Sequence, residues 1–549
     1  MRCACPLTLP NAPYKVSALK GRTTNSCQPS DLNKLNVIHV AGTKGKGSTS
    51  AFVSSILSQY PSLTPSTISS PLTSLNHRPK PKIGLYTSPH LRTVRERIRL
   101  NNAPLSPQLF AKYFFETWDR LESSTYTSDL LPPPEEKAKP NYFRFLTLTA
   151  YHAFLSEKVD VAIMECGMGG EYDSTNIIPS PAVTAVTSLG LDHLDQLGKT
   201  IENIAWHKSG IFKAESPRMT VYTASQPLPA LKVLQDRAQE KGKVLSIIDT
   251  RSDITSNEVP IGLEGSFQHL NASLAVAVTS AFLEQRHISA LDLPRSGSND
   301  PLPEEYKKGL RDVEWAGRCE KRQDRDGVAN WYIDGGHTLE SVPHIASWFA
   351  SHVSNDHWPR SPRILLFNQQ TRDEGRLLRA LHEGLASNIG DTKPFTHAIF
   401  STNTPYGPQR SKAALDASLT NKTADSNAVD SCTVQCGLAE TMYELDAQCD
   451  THVCTNLEEA VGLTRFISRA ENRGKASVLV TGSLHLVGGV VEVLESEEEE
   501  RRADANGRAN ATAGVRQVPT FFNRTLSLVA KWLSCLPWSV RQGKGKRLE

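Results

Sequence analysis

No stretch of this 549-residue chain holds the run of about 18 apolar residues that a membrane-crossing helix needs. The nearest, FFNRTLSLVAKWLSCLPWSV near the C-terminus, is interrupted by Asn523, Arg524, Lys531 and Pro537, which leaves at most an interfacial helix. A dominant charge is missing too. With 61 basic against 58 acidic residues the net charge is +3, so no general field draws nucleic acid and any anion must be bound locally. The ten cysteines lack the dense spacing of a disulfide framework and fit a reducing compartment. Cys432, Cys436, Cys449 and Cys454 do cluster, but with no supporting histidine pattern, so free thiols in a loop are expected over a zinc site. No repeat of roughly 20 to 50 residues recurs, which excludes solenoids and propellers. Acidic residues are absent before Asp31 while Arg2, Lys15, Lys20 and Arg22 are present, the charge signature of a transit peptide. Pro6, Pro10 and Pro13 interrupt that segment, so mitochondrial import and a merely unstructured start both stay open; the expected location is cytoplasmic, mitochondrial or both.

What is present is a rhythm. NVIHVAG, KIGLYTS, VDVAIMECG and AVTAVTSLG are short apolar runs, each ending at a small residue before a polar or amphipathic segment. That alternation predicts βαβ units and a largely parallel sheet. LDLPRSGSNDPLPEEYKKG, residues 291–309, reads as an interdomain linker, and WYIDGG, RILLFNQQ, THAIFSTN and ASVLVTGS then open a second, smaller α/β domain. The expected division is a start at 1–30 without fold, a catalytic domain at 31–300, a second domain at 301–494 with a loop insertion at 402–450, and a tail at 495–549 that is unstructured or amphipathic. Residues 61–81 are expected to form a loop as well.

The chemistry begins at VIHVAGTKGKGSTSAF. The usual phosphate loop, G-x-x-x-x-G-K-[ST], would place a lysine directly behind its last glycine, whereas Gly47 is followed by Ser48. An apolar strand nonetheless feeds a glycine-rich turn, and Phe52, Val53, Ile56 and Leu57 continue at helical spacing. An anion would sit at that helix N-terminus. Gly42, Thr43, Lys44, Gly45, Lys46, Gly47 and Ser48 would form its cradle, with Lys46 neutralising charge and the hydroxyl of Ser48 or Thr49 meeting the phosphate or a metal. A dinucleotide turn is disfavoured, since no third glycine follows at the required place. At the end of VDVAIME, Glu165 would present a hard oxygen at the sheet's carboxyl edge, suited to magnesium; a capping or salt-bridged carboxylate is the plainer alternative.

GTKGKGS resembles the shortened loop of the Mur ligase superfamily, and its neighbours resemble the folylpolyglutamate synthase family within it. The supporting stretches are YTSPHLRTVRERIRLN, YFRFLTLTAYHAFL, ECGMGGEYDSTNII, SLGLDHLDQLGKTIENIAWHKSGIFK, GLEGSFQHLNASLAVA, WAGRCE, WYIDGGHTLES and TGSLHLVGG. The resemblance implies a P-loop ATPase domain with a mostly parallel sheet followed by a smaller Rossmann-like domain. It also implies an ATP- and magnesium-dependent ligase that joins L-glutamate to a carboxylate activated as an acyl phosphate. A histidine after a strand is more often structural, and a serine before a proline can be only a turn hydroxyl; the family pattern makes His193 and Ser88 metal ligands beside Glu165. By the same resemblance Lys208 is a lysine carbamylated by carbon dioxide, against the plain reading of a lysine snorkelling from a helix, and Lys46, His193 and Lys208 form the catalytic set. Arg318 is implied as a phosphate clamp, Asp334 and His337 as contacts near ribose and phosphate, and Asn271 as a donor to the adenine edge.

A monovalent cation is a further implied cofactor, the substrates are reduced folate, L-glutamate and ATP, and a monomer is expected. The second domain is expected to close over ATP. Two departures stand out: His207 occupies the usual acidic position before Lys208, and Phe267 stands where many relatives have histidine. Relatives also carry a helical segment ahead of the phosphate loop that has no counterpart before residue 42. Dihydrofolate synthase, with the same chemistry on dihydropteroate, and a non-catalytic nucleotide-binding descendant are the other readings.

Overall fold

The computed structural model describes residues 29–60, 80–123, 140–286, 293–295, 297–353, 361–370, 374–407, 432–471 and 474–510. These fall into two compact units, one holding residues up to His90 and then Arg95–Trp315, the other holding Leu91–Val94 and everything from Ala316. The expected transit segment, most of the 61–81 loop and the end of the tail lie outside the described residues.

In the first unit the strands are β1 (Ile38–Ala41), β2 (Ile83–Tyr86), β3 (Ile98–Leu100), β4 (Ala103–Pro104), β5 (Val161–Glu165), β6 (Val183–Val186), β7 (Thr220–Ala224) and β8 (Leu245–Ile248). They form one eight-stranded sheet in the order β4-β3-β2-β5-β1-β6-β7-β8. Every pairing from β2 across to β8 is parallel, and β3 and β4 join the β2 edge antiparallel. The central strands β1, β2, β5 and β6 are buried along their whole length. Helices cover both faces of such a sheet, so its strands read as unbroken apolar runs rather than alternating ones. The β3–β4 edge turns at Asn101 and Asn102, both at positive φ (50° and 69°), the conformation a tight hairpin needs and asparagine tolerates.

The helix Lys46–Leu57 leaves β1 and buries Phe52, Val53, Ile56 and Leu57 in a core shared with Leu274, Val278 and Phe282 of the helix Phe267–Gln285. Leu302, Tyr306, Leu310 and Val313 lie in this same core. The stretch read as a linker is thus partly a packed helix, Glu304–Arg311, and the boundary falls after Trp315 rather than near residue 300. The apolar spacing at 302, 306 and 310 outweighs the Pro-, Ser-, Asp- and Gly-rich look of the segment. Ser55 Oγ donates to the Gly309 carbonyl at 2.7 Å and ties the helix down.

The second unit carries β9 (Glu320–Gln323), β10 (Ala329–Ile333), β11 (Arg363–Phe367), β12 (His397–Ser401), β13 (Asp450–Cys454) and β14 (Ala476–Thr481). Their order is β13-β12-β11-β14-β10-β9, parallel except for the β9 edge. Residues 402–450 are not all loop, because the helix Thr433–Leu445 buries Gln435, Leu438 and Met442. Nor is the acidic run from Glu495 an unstructured tail at its start, since the helix Leu484–Asn510 continues through it. Two of its carboxylates are neutralised: Glu495 pairs with Arg92 and with Arg322 (2.8 Å), and Glu497 pairs with Arg325 (3.0 Å) and Arg465 (2.9 Å). Among the described residues no helix is long and apolar enough to cross a membrane.

Candidate active site

The glycine turn after β1 is held from behind. The N–H groups of Thr43 and Lys44 donate to the Ser188 carbonyl at 3.0 and 3.1 Å, and Thr187 Oγ1 donates to the Lys44 carbonyl at 2.6 Å. Gly42 and Gly45 sit at φ of 146° and 86°; a side chain at the first would strike Thr187, and at the second the Asn271 amide. Both must be glycine for the turn to exist. Gly45 is the N-cap of the helix Lys46–Leu57, no side chain caps it, and its first turn contains no acidic residue. The N–H groups of a helix's opening turn have no partner within the helix, so this end offers donors and a partial positive charge to an anion.

Side chains gather around that end. Lys46 Nζ donates to the Thr43 carbonyl at 3.4 Å, and Ser48 is buried with its hydroxyl 3.2 Å from the donating amide of Gln268, which in turn accepts from Asn271 at 2.9 Å. Asn271 therefore stands against Gly45 as a support of the turn. Lys44 pairs with Asp192 at 3.6 Å. Glu165, 3% exposed at the end of β5, accepts the Ser88 N–H at 3.0 Å, so two of the expected metal ligands are neighbours.

His193, the third expected ligand, is placed differently. It lies on an exposed turn at φ 54°, directly after the Asp192 that pairs with Lys44. Among the described residues no three or more His, Cys, Asp or Glu side chains stand together as a ready metal cage. A carboxylate beside Ser88 at this turn still fits magnesium, which takes few protein oxygens and fills its shell from other oxygen donors and water.

Lys208 closes the helix Ile201–Lys208, is 4% exposed, and its Nζ donates to the Gly42 carbonyl at 2.6 Å. Burial, followed by the charge of Lys46, pushes its ammonium down to about 7. His207, in the usually acidic position, makes edge contacts with Trp206 and Tyr172, and burial lowers its pKa. The motifs EYDSTNII and YFRFLTLTAYHAFL meet at a cleft lined by Arg144, Thr147, Tyr172, Asp173 and Ile177. There Asp173 accepts the N–H groups of Met168 and Thr175, both at 2.9 Å, and fixes the loop that follows Glu165.

In the second unit Arg318, Asp334 and His337 converge at the carboxyl end of β10. Asp334 Oδ2 accepts the Cys319 N–H at 2.8 Å and Oδ1 the Gly336 N–H at 2.7 Å. His337 Nδ1 lies 2.9 Å from the Gly335 carbonyl, and Arg318 Nη1 donates to the Gly317 carbonyl at 3.2 Å. Reading the sequence missed Thr187, Asp192, Gln268 and Trp315. Thr187 and Asp192 lie in motifs whose neighbours were singled out, and nothing in their own residue types sets them apart.

A family model described as the Mur ligase middle domain matches residues 117–279. The folylpolyglutamate synthase of Saccharomyces cerevisiae (strain FostersO) is 41% identical over 467 residues, covering 85% of this chain and 78% of that protein. The Mycobacterium tuberculosis folylpolyglutamate synthase complexed with ADP and AMPPCP superimposes with a TM-score of 0.57 at 22% identity, over 85% of this chain and 93% of the other. For E. coli FolC in complex with DHPP and ADP the TM-score is 0.56 at 21% identity, over 89% and 99% of the two chains.

Proposed function

The chain belongs to the folylpolyglutamate synthase family, an ATP-dependent ligase family, and from that premise we propose that it adds L-glutamate to the γ-carboxylate of a reduced folyl-glutamate. ATP phosphorylates the carboxylate to an acyl phosphate and leaves as ADP; the glutamate amine then attacks the acyl carbon and inorganic phosphate departs. Little covalent work falls to the protein, so positioning and charge neutralisation carry the rate.

The observation that carries this reading is the uncapped, acid-free helix start at Lys46, with Glu165 at the adjoining strand end and Lys208 bonded to the turn. The N–H groups at the start of the helix Lys46–Leu57, together with the Lys46 ammonium, bind and orient the phosphates. Glu165 and Ser88 would hold magnesium, which supplies charge neutralisation at the γ-phosphate; His193 is the further ligand proposed for it. Arg318, Asp334 and His337 are proposed as the second unit's nucleotide contacts, the arginine on phosphate and the others near the ribose.

Lys208 is proposed to react with carbon dioxide. Its neutral nitrogen forms the bond to carbon and loses a proton, which turns a cation into a carbamate anion. A pKa near 7 makes the neutral amine available, and a carbamate keeps one N–H that can stay on the Gly42 carbonyl. A monovalent cation is the further proposed cofactor. Incubation of the full chain with ATP, magnesium, labelled glutamate and either a reduced folyl-glutamate or dihydropteroate, followed by product mass, tests the reading. Extension of the folyl-glutamate supports it; product from dihydropteroate alone would transfer the assignment to dihydrofolate synthase.

A further inference from the structure

Trp315 is the last residue of the first unit, and its indole rests against the phosphate turn. A Cβ built on Gly47 would lie 3.3 Å from Trp315 Nε1 and 3.7 Å from Glu165 Oε2. The indole N–H, the Gly47 backbone and the Glu165 carboxylate therefore border one small volume at the start of the helix Lys46–Leu57.

The ring is fixed in that position. Arg99 lies with its guanidinium carbon 4.8 Å from the indole centroid. The arginine is itself anchored, Nε to the Glu96 carbonyl and Nη1 to the Asn102 carbonyl, both at 3.1 Å. The rest of the indole packs on the first core. Indole Nε1–H can only donate, and among the described residues it makes no hydrogen bond. A lone donor beside an acidic chain would find a carboxylate; a donor facing a phosphate turn finds an anion only when the ligand arrives.

We propose that Trp315 is a nucleotide-binding residue, its Nε1–H donating to a phosphate oxygen of ATP seated on the Gly45–Ser48 turn, with Arg99 as the positioning residue that holds the ring. The assignment rests on the reading that this turn binds ATP. It adds direction without charge, because an indole can neither ligate magnesium nor take a proton, and bonds from neutral donors to charged acceptors are among the stronger ones.

The test uses the full chain and a non-hydrolysable ATP analogue with magnesium, titrated by calorimetry. Trp315→Phe keeps an aromatic ring under Arg99 and removes only the N–H; its dissociation constant should rise about ten-fold. A variant that binds within two-fold of the wild type overturns the assignment of Trp315 and leaves the ATP reading standing, whereas a wild type that binds no nucleotide overturns the ATP reading beneath it. In wild-type protein labelled with ¹⁵N-tryptophan, the indole signal that Trp315→Phe lacks should move downfield when the analogue is added, and an unmoved signal overturns the proposal even if the variant folds poorly. Arg99→Gln should shrink that displacement and Arg99→Lys should restore it. Equal displacement in both would remove Arg99 from the account.

Discussion

Two glycine turns leave the carboxyl edges of two parallel sheets in this protein, and they end up with opposite uses for their backbone. After β1 the turn Gly42–Ser48 runs straight into a helix whose opening N–H groups meet no side-chain cap and no acid. After β10 the turn Gly335–Gly336 begins with Asp334, whose two oxygens are already claimed by the N–H groups of Cys319 and Gly336. The first turn is kept open by bonds made behind it, from Thr187 and Lys208 to its carbonyls. The second closes on itself and presents side chains, Arg318 and His337, instead of amides. A glycine-rich turn is an anion site only where its donors are left unclaimed, and composition alone does not reveal which case holds.

The largest effect should come from Glu165→Gln, which keeps an acceptor for the Ser88 N–H but removes the charge; glutamate-dependent ADP release should fall by about 10²- to 10³-fold. An equal loss from Asp334→Asn would erase the contrast between the turns.

Next is Lys208. Burial lowers it from its ordinary 10.5 to about 7, so between those pH values the unfolded chain carries a proton there that the folded chain lacks. Stability to denaturant should therefore rise with pH across that window, by at most about 1.4 kcal/mol for each pH step of one, and Lys208→Met should flatten the rise. Activity in bicarbonate buffer should climb through pH 7 for the same reason.

Gly45→Ala places a side chain at φ 86° against the Asn271 amide, and should cost roughly 2 kcal/mol in thermal stability along with much of the nucleotide affinity. Asp334→Asn leaves one of two N–H groups without its carboxylate oxygen, which should cost about 1 to 2 kcal/mol of stability in denaturant unfolding.

Much of the first unit was legible because its central strands are buried on both faces and so appear as unbroken apolar runs: NVIHVAG, VDVAIMECG and AVTAVTSLG became β1, β5 and β6. The same logic found β10, β11, β12 and β14. What escaped were the edges. The short hairpin β3–β4 depends on two asparagines at positive φ, and β13 is only half-buried, so neither has an apolar signature. The helix Glu304–Arg311 was hidden by the Pro, Ser, Asp and Gly around it, and Leu484–Asn510 by charge, since an acidic run looks unstructured until the arginines that neutralise it, such as Arg322 and Arg465, are brought close by the fold. In the site, the turn and the pairing of Glu165 with Ser88 could be reached from spacing and resemblance. The supports Thr187, Gln268 and Trp315 could not, because their roles come from contacts between residues far apart in the chain.

The most direct measurement is the affinity of the magnesium complex of a non-hydrolysable ATP analogue for the wild type and for Lys46→Met, by calorimetry on folded protein. The account predicts micromolar-range binding by the wild type and a loss of at least about ten-fold in the variant, since Lys46 is the residue proposed to neutralise the phosphate charge. Equal affinity in the two would contradict it, because the turn after β1 would then not be where the phosphates sit.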